Sequence, residues 1–475
     1  MVFSSTIFLV GFLPFVLAGY FLSPRRFRNV YLIAASLFFY VWGEREYGWV
    51  LPLSIAGNYF AGVWIARSRF PIRVLVAAVT ANLLMLAAFK YANFLADNLN
   101  IVLLAIGLPV IKLGPVHLPC GISFFTFQAI SYLVDVSRDD VPVEGSPTRY
   151  ALYAALFPHL IAGPIVRYRD LADRLGDRMV TPDGFAEGVR RFLQGLGKKV
   201  LLANTVATAA DNLFALPTAT LGIGAAWLGL ACYSLQIYFD FSGYSDMAIG
   251  LGKMFGFDFA ENFRHPYAAA SVTDFWRRWH ITLSSWLRDY VYIPLGGSRC
   301  SPGRVLVNLV IVFVLCGLWH GAAWTFLVWG LWHGAFLVAE RVGLGRALDA
   351  VPRPLRHMYT LLAVMGGWVL FRADSFPHAA GYLAALAGAG SGHSPVWAYA
   401  GRDVWIALAI GCVACLPVGA WLSEQLERRR QSPAWGAWRE AGWAAAEFAG
   451  YSGLLFGSVL CLAAGTYNPF LYFRF

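Results

Sequence analysis

Hydrophobic residues in this chain fall in long runs, and the polar residues between them come in short clusters. A transmembrane helix needs about 20 predominantly apolar residues. By that measure the runs at 5–22, 29–43, 48–66, 73–96, 115–135, 148–166, 224–250, 305–319, 323–340, 357–371, 403–423 and 444–465 read as candidate spans. Shorter apolar stretches at 99–111, 200–216 and 377–389 read as half-spans or re-entrant pieces. The pattern predicts an all-α polytopic integral membrane protein with about eleven true spans plus re-entrant segments. It shows no long-period repeat of the kind that marks inverted-repeat transporters, so residues 1–475 read as a single transmembrane domain.

Composition points the same way. The 475 residues are 58% hydrophobic and 13% charged, against about 25% charged in soluble domains. That is too little charge to coat the surfaces of soluble domains of this total length. The residues before the first run carry no base, whereas Arg25, Arg26 and Arg28 follow it. This order predicts an uncleaved first span with the arginines inside. Arg67, Arg69 and Arg73 after the third run fall on the same side, assigned to the cytoplasm. The net charge of +10 then fits the positive-inside pattern and contact with anionic headgroups of the lipid bilayer, with no nucleic-acid partner. Cys412 and Cys415 form a CxxC without a second pair. A zinc site takes four ligands, so no metal is expected, and the seven cysteines read as small core residues.

One segment is not membrane-like. Residues 167–199 interleave eight Arg and Lys side chains with five carboxylates. Thr181-Pro182-Asp183 has the signature of a helix start, with Thr181 as N-cap and proline at the first position. Two amphipathic helices are expected here, on the cytoplasmic face. They read either as a plain interfacial anchor, the commoner use of such helices, or as a collar around a donor entrance.

The polar cluster from Asp274 to Tyr290 mixes tryptophans with paired charges. Asp274 can pair with Arg277 or Arg278 at helical spacing. The cluster reads as an interfacial helix or as a re-entrant element lining a water-filled cavity. In the following loop, Gly296, Gly297 and Arg299 can approach a phosphate. His320 ends a long apolar run and is flanked by Gly317 and Gly321. A lone histidine on an apolar face is more often a satisfied core residue, but inside a bilayer a polar ring is costly and is kept for a reason. Trp332-His333-Gly334 repeats the Trp-His-Gly triplet thirteen positions later. At 3.6 residues per turn the two rings face different directions on a continuous helix. One of them is structural, and residue physics does not say which. His159, shortly before Gly163-Pro164, marks a bent helix end. Asp135, Asp240 and Asp246 read as members of a proton relay or of a structural hydrogen-bond network.

These residues together resemble the membrane-bound O-acyltransferase family. The resemblance rests on Phe275-Trp276-Arg277-Arg278-Trp279-His280, Ser285-Trp286-Leu287-Arg288-Asp289-Tyr290, Tyr292 to Gly297 and Trp319-His320-Gly321-Ala322-Ala323-Trp324. The segments Phe157 to Tyr168, Tyr238 to Asp246 and Asn468 to Phe475 are similar to the bacterial branch that contains the alginate O-acetyltransferases. His159 departs from it, standing where glutamine is expected.

The resemblance implies a membrane-bound O-acyltransferase fold, with its spans around a central funnel in a bacterial inner membrane. His320 matches the signature histidine, and His280 the second polar signature residue. The implied donor is a cytoplasmic thioester, acetyl-CoA, acting as co-substrate with no bound cofactor. The implied acceptor is an extracytoplasmic polysaccharide such as alginate, with a periplasmic esterase-like partner protein. Peptidoglycan, cellulose, teichoic acid, a lipid or a protein are alternative acceptors, and a glycan or lipid transporter is a rival class. In this frame His320 serves as general base and His280 orients the donor or polarises its carbonyl. Arg277, Arg278, Arg288 and Arg299, with Trp319, are the candidate donor-binding residues. Tyr472 reads as an acyl carrier or as an aromatic anchor at the interface.

Overall fold

The computed structural model describes residues 2–392, 396–431, 436–465 and 467–469, and every regular element among them is helical. Among the described residues, three helices are long and apolar enough to cross a membrane: Pro71–Lys90, Pro302–His320 and Ala437–Ala463. Arg402–Ala414 and Val418–Arg430 qualify together as a pair bent by 58°. Pro71 and Pro302 stand at the first helical position, where a missing N–H costs no intrahelical bond.

That bent pair covers the expected span 403–423, and three further expected spans are not continuous helices. The run 148–166 breaks into Pro147–Ala155 and the four-residue Phe157–Leu160, then leaves helical conformation. Pro158 has no amide to donate and crowds the carbonyl four residues back, which stops the helix. The bend foreseen at His159 is therefore present. The run 73–96 divides at Tyr91 into Pro71–Lys90 and Ala92–Ala105. The run 115–135 becomes helical only at Ile122, because Gly121 turns the chain at φ 73°. A side chain there would sit 2.5 Å from the Leu160 carbonyl.

The centre of the protein is the 32-residue helix Ile223–Met254, buried along most of its length. The two helices expected in 167–199 are Tyr168–Gly176 and Pro182–Gly197. Thr181 caps the second, accepting the Gly184 amide at 3.1 Å. Pro182–Gly197 is docked onto the central helix by two reciprocal glycine pairs, Gly188 with Gly250 and Gly195 with Gly243. A Cβ on any of the four would lie 2.5–2.7 Å from the opposing glycine's carbonyl oxygen. Small residues let two backbones approach this closely, so this helix is an integral part of the bundle rather than a loose surface anchor.

The intramembrane carboxylates are held in networks. Asp240 pairs with Lys199 at 2.5 Å, both side chains 2% exposed. Asp246 pairs with Lys198 at 2.6 Å and Arg191 at 2.7 Å, and Arg191 extends to Glu261 at 2.6 Å. Asp135 accepts the Tyr290 hydroxyl at 2.8 Å. Lys199 also donates to Asn204 at 2.9 Å and to the Pro469 carbonyl. Asn204 and Ser4 complete the bonds around Asn468, so Asn468-Pro469 is tied into the core.

Candidate active site

His320 is the last residue of Pro302–His320, and the chain turns extended at Gly321. The last carbonyls of a helix have no partner inside it. Here Tyr91 donates to the Leu318 carbonyl at 2.6 Å. Lys90 donates to the carbonyls of Trp319 at 2.5 Å and His320 at 3.3 Å, and to Ser123 Oγ at 3.4 Å. An ammonium at a helix C-terminus also offsets the negative end of the dipole. The end of Pro71–Lys90 thereby fixes the backbone that carries His320. Gly317 allows the next helix, Trp324–Ala339, to pack against this one, since a Cβ at Gly317 would meet the Phe326 carbonyl at 2.3 Å.

Trp319 and His320 open onto a cavity of about 360 Å³, which Lys90, Ser123, Glu44 and His117 also line. Glu44 bonds His117 Nε2 at 2.7 Å and accepts the Cys120 amide at 3.0 Å. The cavity is reached at Gly43, the last residue of helix Arg28–Gly43. The other end of that helix lies at the Arg25–Arg28 cluster, about 24 Å away at 1.5 Å per residue. The cavity and the arginine-rich face are therefore at opposite ends of the bundle.

His280 stands beside this site, its ring centroid 6.3 Å from that of His320 and 5.8 Å from that of Trp319. It is fully buried and adopts the left-handed conformation at φ 43°, a conformation that costs free energy in a non-glycine residue and clusters at functional sites. Its Nδ1 lies 3.1 Å from Asn262 Oδ1. Asn262 Oδ1 also accepts the Thr282 amide at 3.3 Å and hydroxyl at 2.9 Å, while its Nδ2 donates to Ser245 at 3.1 Å. With Asn262 Oδ1 acting only as acceptor, His280 Nδ1 carries the proton and Nε2 presents a lone pair. Nε2 is buried and has no hydrogen-bond partner among the described residues.

The structure separates the two histidine triplets. His333 sits in Trp324–Ala339, packed by Phe275, Trp276, Trp329 and Trp368. Its Nδ1 accepts the Trp276 indole N–H at 3.3 Å, and it does not line the cavity that His320 lines. His159 Nδ1 meets Gln128 Nε2 at 2.8 Å in another buried region.

Of the other candidates, Trp319 joins His320 at the cavity and the four arginines stand outside it. Arg277 and Arg299 are exposed. Arg278 pairs with Asp274 at 2.9 Å, which settles the choice of helical partner. Arg288 pairs with Asp289 at 2.6 Å, and Asp289 also receives Arg167 at 2.6 Å and Arg169 at 3.1 Å. Burial pushes the Asp289 carboxyl upward, but the Arg288 hydrogen bond and the Arg167 charge hold it below the ordinary carboxylate range. Tyr472 lies outside the described residues.

Lys90 and Asn262, with the cavity-lining Glu44, His117 and Ser123, are site residues that sequence reasoning passed over. Lys90 carried a usable signal, a lone charge in an apolar run. Asn262, in a polar loop, carried none.

The sequence profile of the membrane-bound O-acyltransferase family matches residues 136–346. A "Probable alginate O-acetylase AlgI" of Azotobacter vinelandii is 47% identical over 382 residues, covering 79% of this chain and 76% of the relative. The chain belongs to the membrane-bound O-acyltransferase family. It is an O-acyltransferase of the membrane. A "Peptidoglycan O-acetyltransferase" of Helicobacter pylori is 36% identical, covering 82% of this chain and 80% of the relative. A "Teichoic acid D-alanyltransferase" of Bacillus subtilis is 31% identical over 43% of this chain and 54% of the relative. The stretch matched by the family profile contains Asn262, His280 and His320, whereas Glu44, Lys90 and His117 precede it. The family signature thus covers the two histidines, together with Ile161 and Trp319 of the cavity wall, whereas the other cavity-lining residues lie between Tyr40 and Phe124.

Proposed function

We propose that this O-acyltransferase moves an acetyl group from a cytoplasmic thioester, acetyl-CoA, across a bacterial inner membrane to hydroxyls of an extracytoplasmic polysaccharide such as alginate. The observation that carries this reading is the position of His320, held by Lys90 at a helix end that opens onto the cavity opposite the arginine-rich face. With the arginines cytoplasmic, that cavity is on the acceptor side. The relatives named for alginate and peptidoglycan acetylation support a polysaccharide acceptor.

His320 takes the proton of the attacking hydroxyl as its oxygen adds to the thioester carbonyl. Collapse of the tetrahedral intermediate breaks the C–S bond, and the leaving thiolate recovers the proton as a free thiol. The His280 lone pair suits it to hold a donor N–H or O–H group rather than to polarise a carbonyl. Arg277, Arg278, Arg288 and Arg299 remain candidates for the coenzyme phosphates at the cytoplasmic side. Tyr472 is a candidate relay that accepts the acetyl group first and passes it outward, with a periplasmic partner completing delivery.

The test uses the full chain in native membranes with labelled acetyl-CoA, offering alginate or peptidoglycan and scoring O-acetyl groups. Transfer to alginate, lost in His320→Ala, is expected. An unchanged rate in His320→Ala overturns the catalytic assignment, and transfer to peptidoglycan alone reassigns the acceptor. Tyr472→Phe with full acetylation removes the relay.

A further inference from the structure

A second pocket, of about 370 Å³, lies on the arginine-rich face. Tyr20, Arg25, Arg28, Asn29, Asp177 and Arg178 are among its lining residues. It joins two distant parts of the chain: the turn after the first helix, Leu13–Leu22, and the loop between Tyr168–Gly176 and Pro182–Gly197. Asn29 ties them together, donating to the Leu175 carbonyl at 2.7 Å and accepting from Arg178 Nη1 at 2.7 Å.

The charge balance of this pocket differs from that of its surroundings. Of the eight cations from Arg167 to Lys199, seven have a carboxylate within ion-pair distance. Arg178 is the exception. Its Nε is bound by the Phe255 carbonyl at 2.9 Å, and its Nη2 is buried with no hydrogen-bond partner among the described residues. Arg25 and Arg28 likewise form no ion pair there, and Asp177, the one carboxylate lining the pocket, pairs with none of the three. Arg28 and Arg178 both lie over the Tyr20 ring, at 4.9 and 5.6 Å from its centroid. Burial lowers the Arg178 pKa; the Tyr20 hydroxyl opposes the fall, and the charge of Arg28 adds to it. Three guanidinium groups from two segments thus converge on one pocket with no ion pair among the described residues. A guanidinium fork matches the planar oxygens of a phosphate.

The rim indicates where such a phosphate comes from. Phe21, Leu22 and Phe27, beside Tyr20 and Arg25, are 43%, 84% and 50% exposed, an apolar surface suited to acyl chains. We propose that this pocket binds the phosphate headgroup of an anionic phospholipid from the cytoplasmic leaflet, with Arg25, Arg28 and Arg178 as its ligands. The bound lipid clamps the 177–181 loop to the first helix, and through that loop the glycine-docked helix Pro182–Gly197.

The test is native mass spectrometry of the full chain in detergent, titrated with phosphatidylglycerol and, separately, with phosphatidylcholine. The wild type is expected to retain phosphatidylglycerol preferentially. Arg25→Gln/Arg28→Gln, which removes no ion pair among the described residues, is expected to weaken that retention by about fivefold per arginine. Arg26→Gln, outside the lining, serves as the matched control. Equal phosphatidylglycerol retention in the double variant and wild type overturns the proposal. So does displacement of the lipid by desulfo-coenzyme A with the same variant sensitivity, which assigns the pocket to the donor's phosphates instead. The readout is lipid retention, so it stands apart from the outcome of the acetyl-transfer test.

Discussion

The ammonium of Lys90 is bonded to the main chain of His320, at 3.3 Å from its carbonyl oxygen, and more closely to that of Trp319. These partners are 229 and 230 residues away in sequence. The contact makes the position of the candidate base depend on a different helix from the one that carries it.

Lys90→Met is therefore expected to lower acetyl transfer by about 100-fold through misplacement of His320. Lys90→Arg, which keeps a cation at the helix terminus, is expected to recover part of that loss. Initial rates with labelled acetyl-CoA, normalised to folded protein by size-exclusion chromatography, check both. Wild-type kcat in Lys90→Met with the protein intact would remove the positioning role.

The two Trp-His-Gly triplets give a paired comparison. His320→Gln is expected to lose about 10²–10⁴ in kcat, the usual contribution of a general base. His333→Gln keeps a polar group near the Trp276 indole and is expected to stay within about tenfold of wild type, its cost showing in stability rather than in chemistry. Thermal unfolding beside the rate assay distinguishes the two.

Asn262 sets the protonation pattern of His280 without lining the cavity. Asn262→Leu deprives His280 Nδ1, the Thr282 hydroxyl proton and the Thr282 amide of their shared acceptor, while the hydroxyl oxygen keeps the Ile165 amide, costing about 1–3 kcal/mol. A larger fall in acetyl transfer than in stability is expected, together with an altered pH–rate profile. Loss of stability alone would make Asn262 purely structural.

The glycine contacts predict a size limit. Gly195→Val places a side chain where even a Cβ lies 2.5 Å from the Gly243 carbonyl. Overpacking of this kind typically costs about 1–3 kcal/mol, so a lowered unfolding temperature in detergent is expected. Gly184→Val tests the contrast, since only the cap hydroxyl of Thr181 lies near it, at 3.0 Å.

The amino-acid sequence by itself determined the helical class, the break near Pro158, the Thr181 cap and the candidacy of His320, because these follow from local rules. Apolar runs, proline and capping chemistry act within a few residues. Residue physics alone did not choose between His320 and His333, since each stands at the centre of the same triplet and they differ only in what surrounds them. Tertiary structure distinguishes them: His320 lines a cavity, whereas His333, its Nδ1 bonded to Trp276, does not. It also recruited Lys90 and Asn262, whose partners lie elsewhere along the chain, and it drew Asp240 and Asp246 into ion pairs and Asp135 onto the Tyr290 hydroxyl. The arginines read as donor ligands stand outside the cavity, whereas Arg25, Arg28 and Arg178, from two distant segments, line one pocket on the arginine-rich face. Charge count is a property of the sequence. Charge compensation depends on distances of a few ångströms between segments that only the folded bundle brings together.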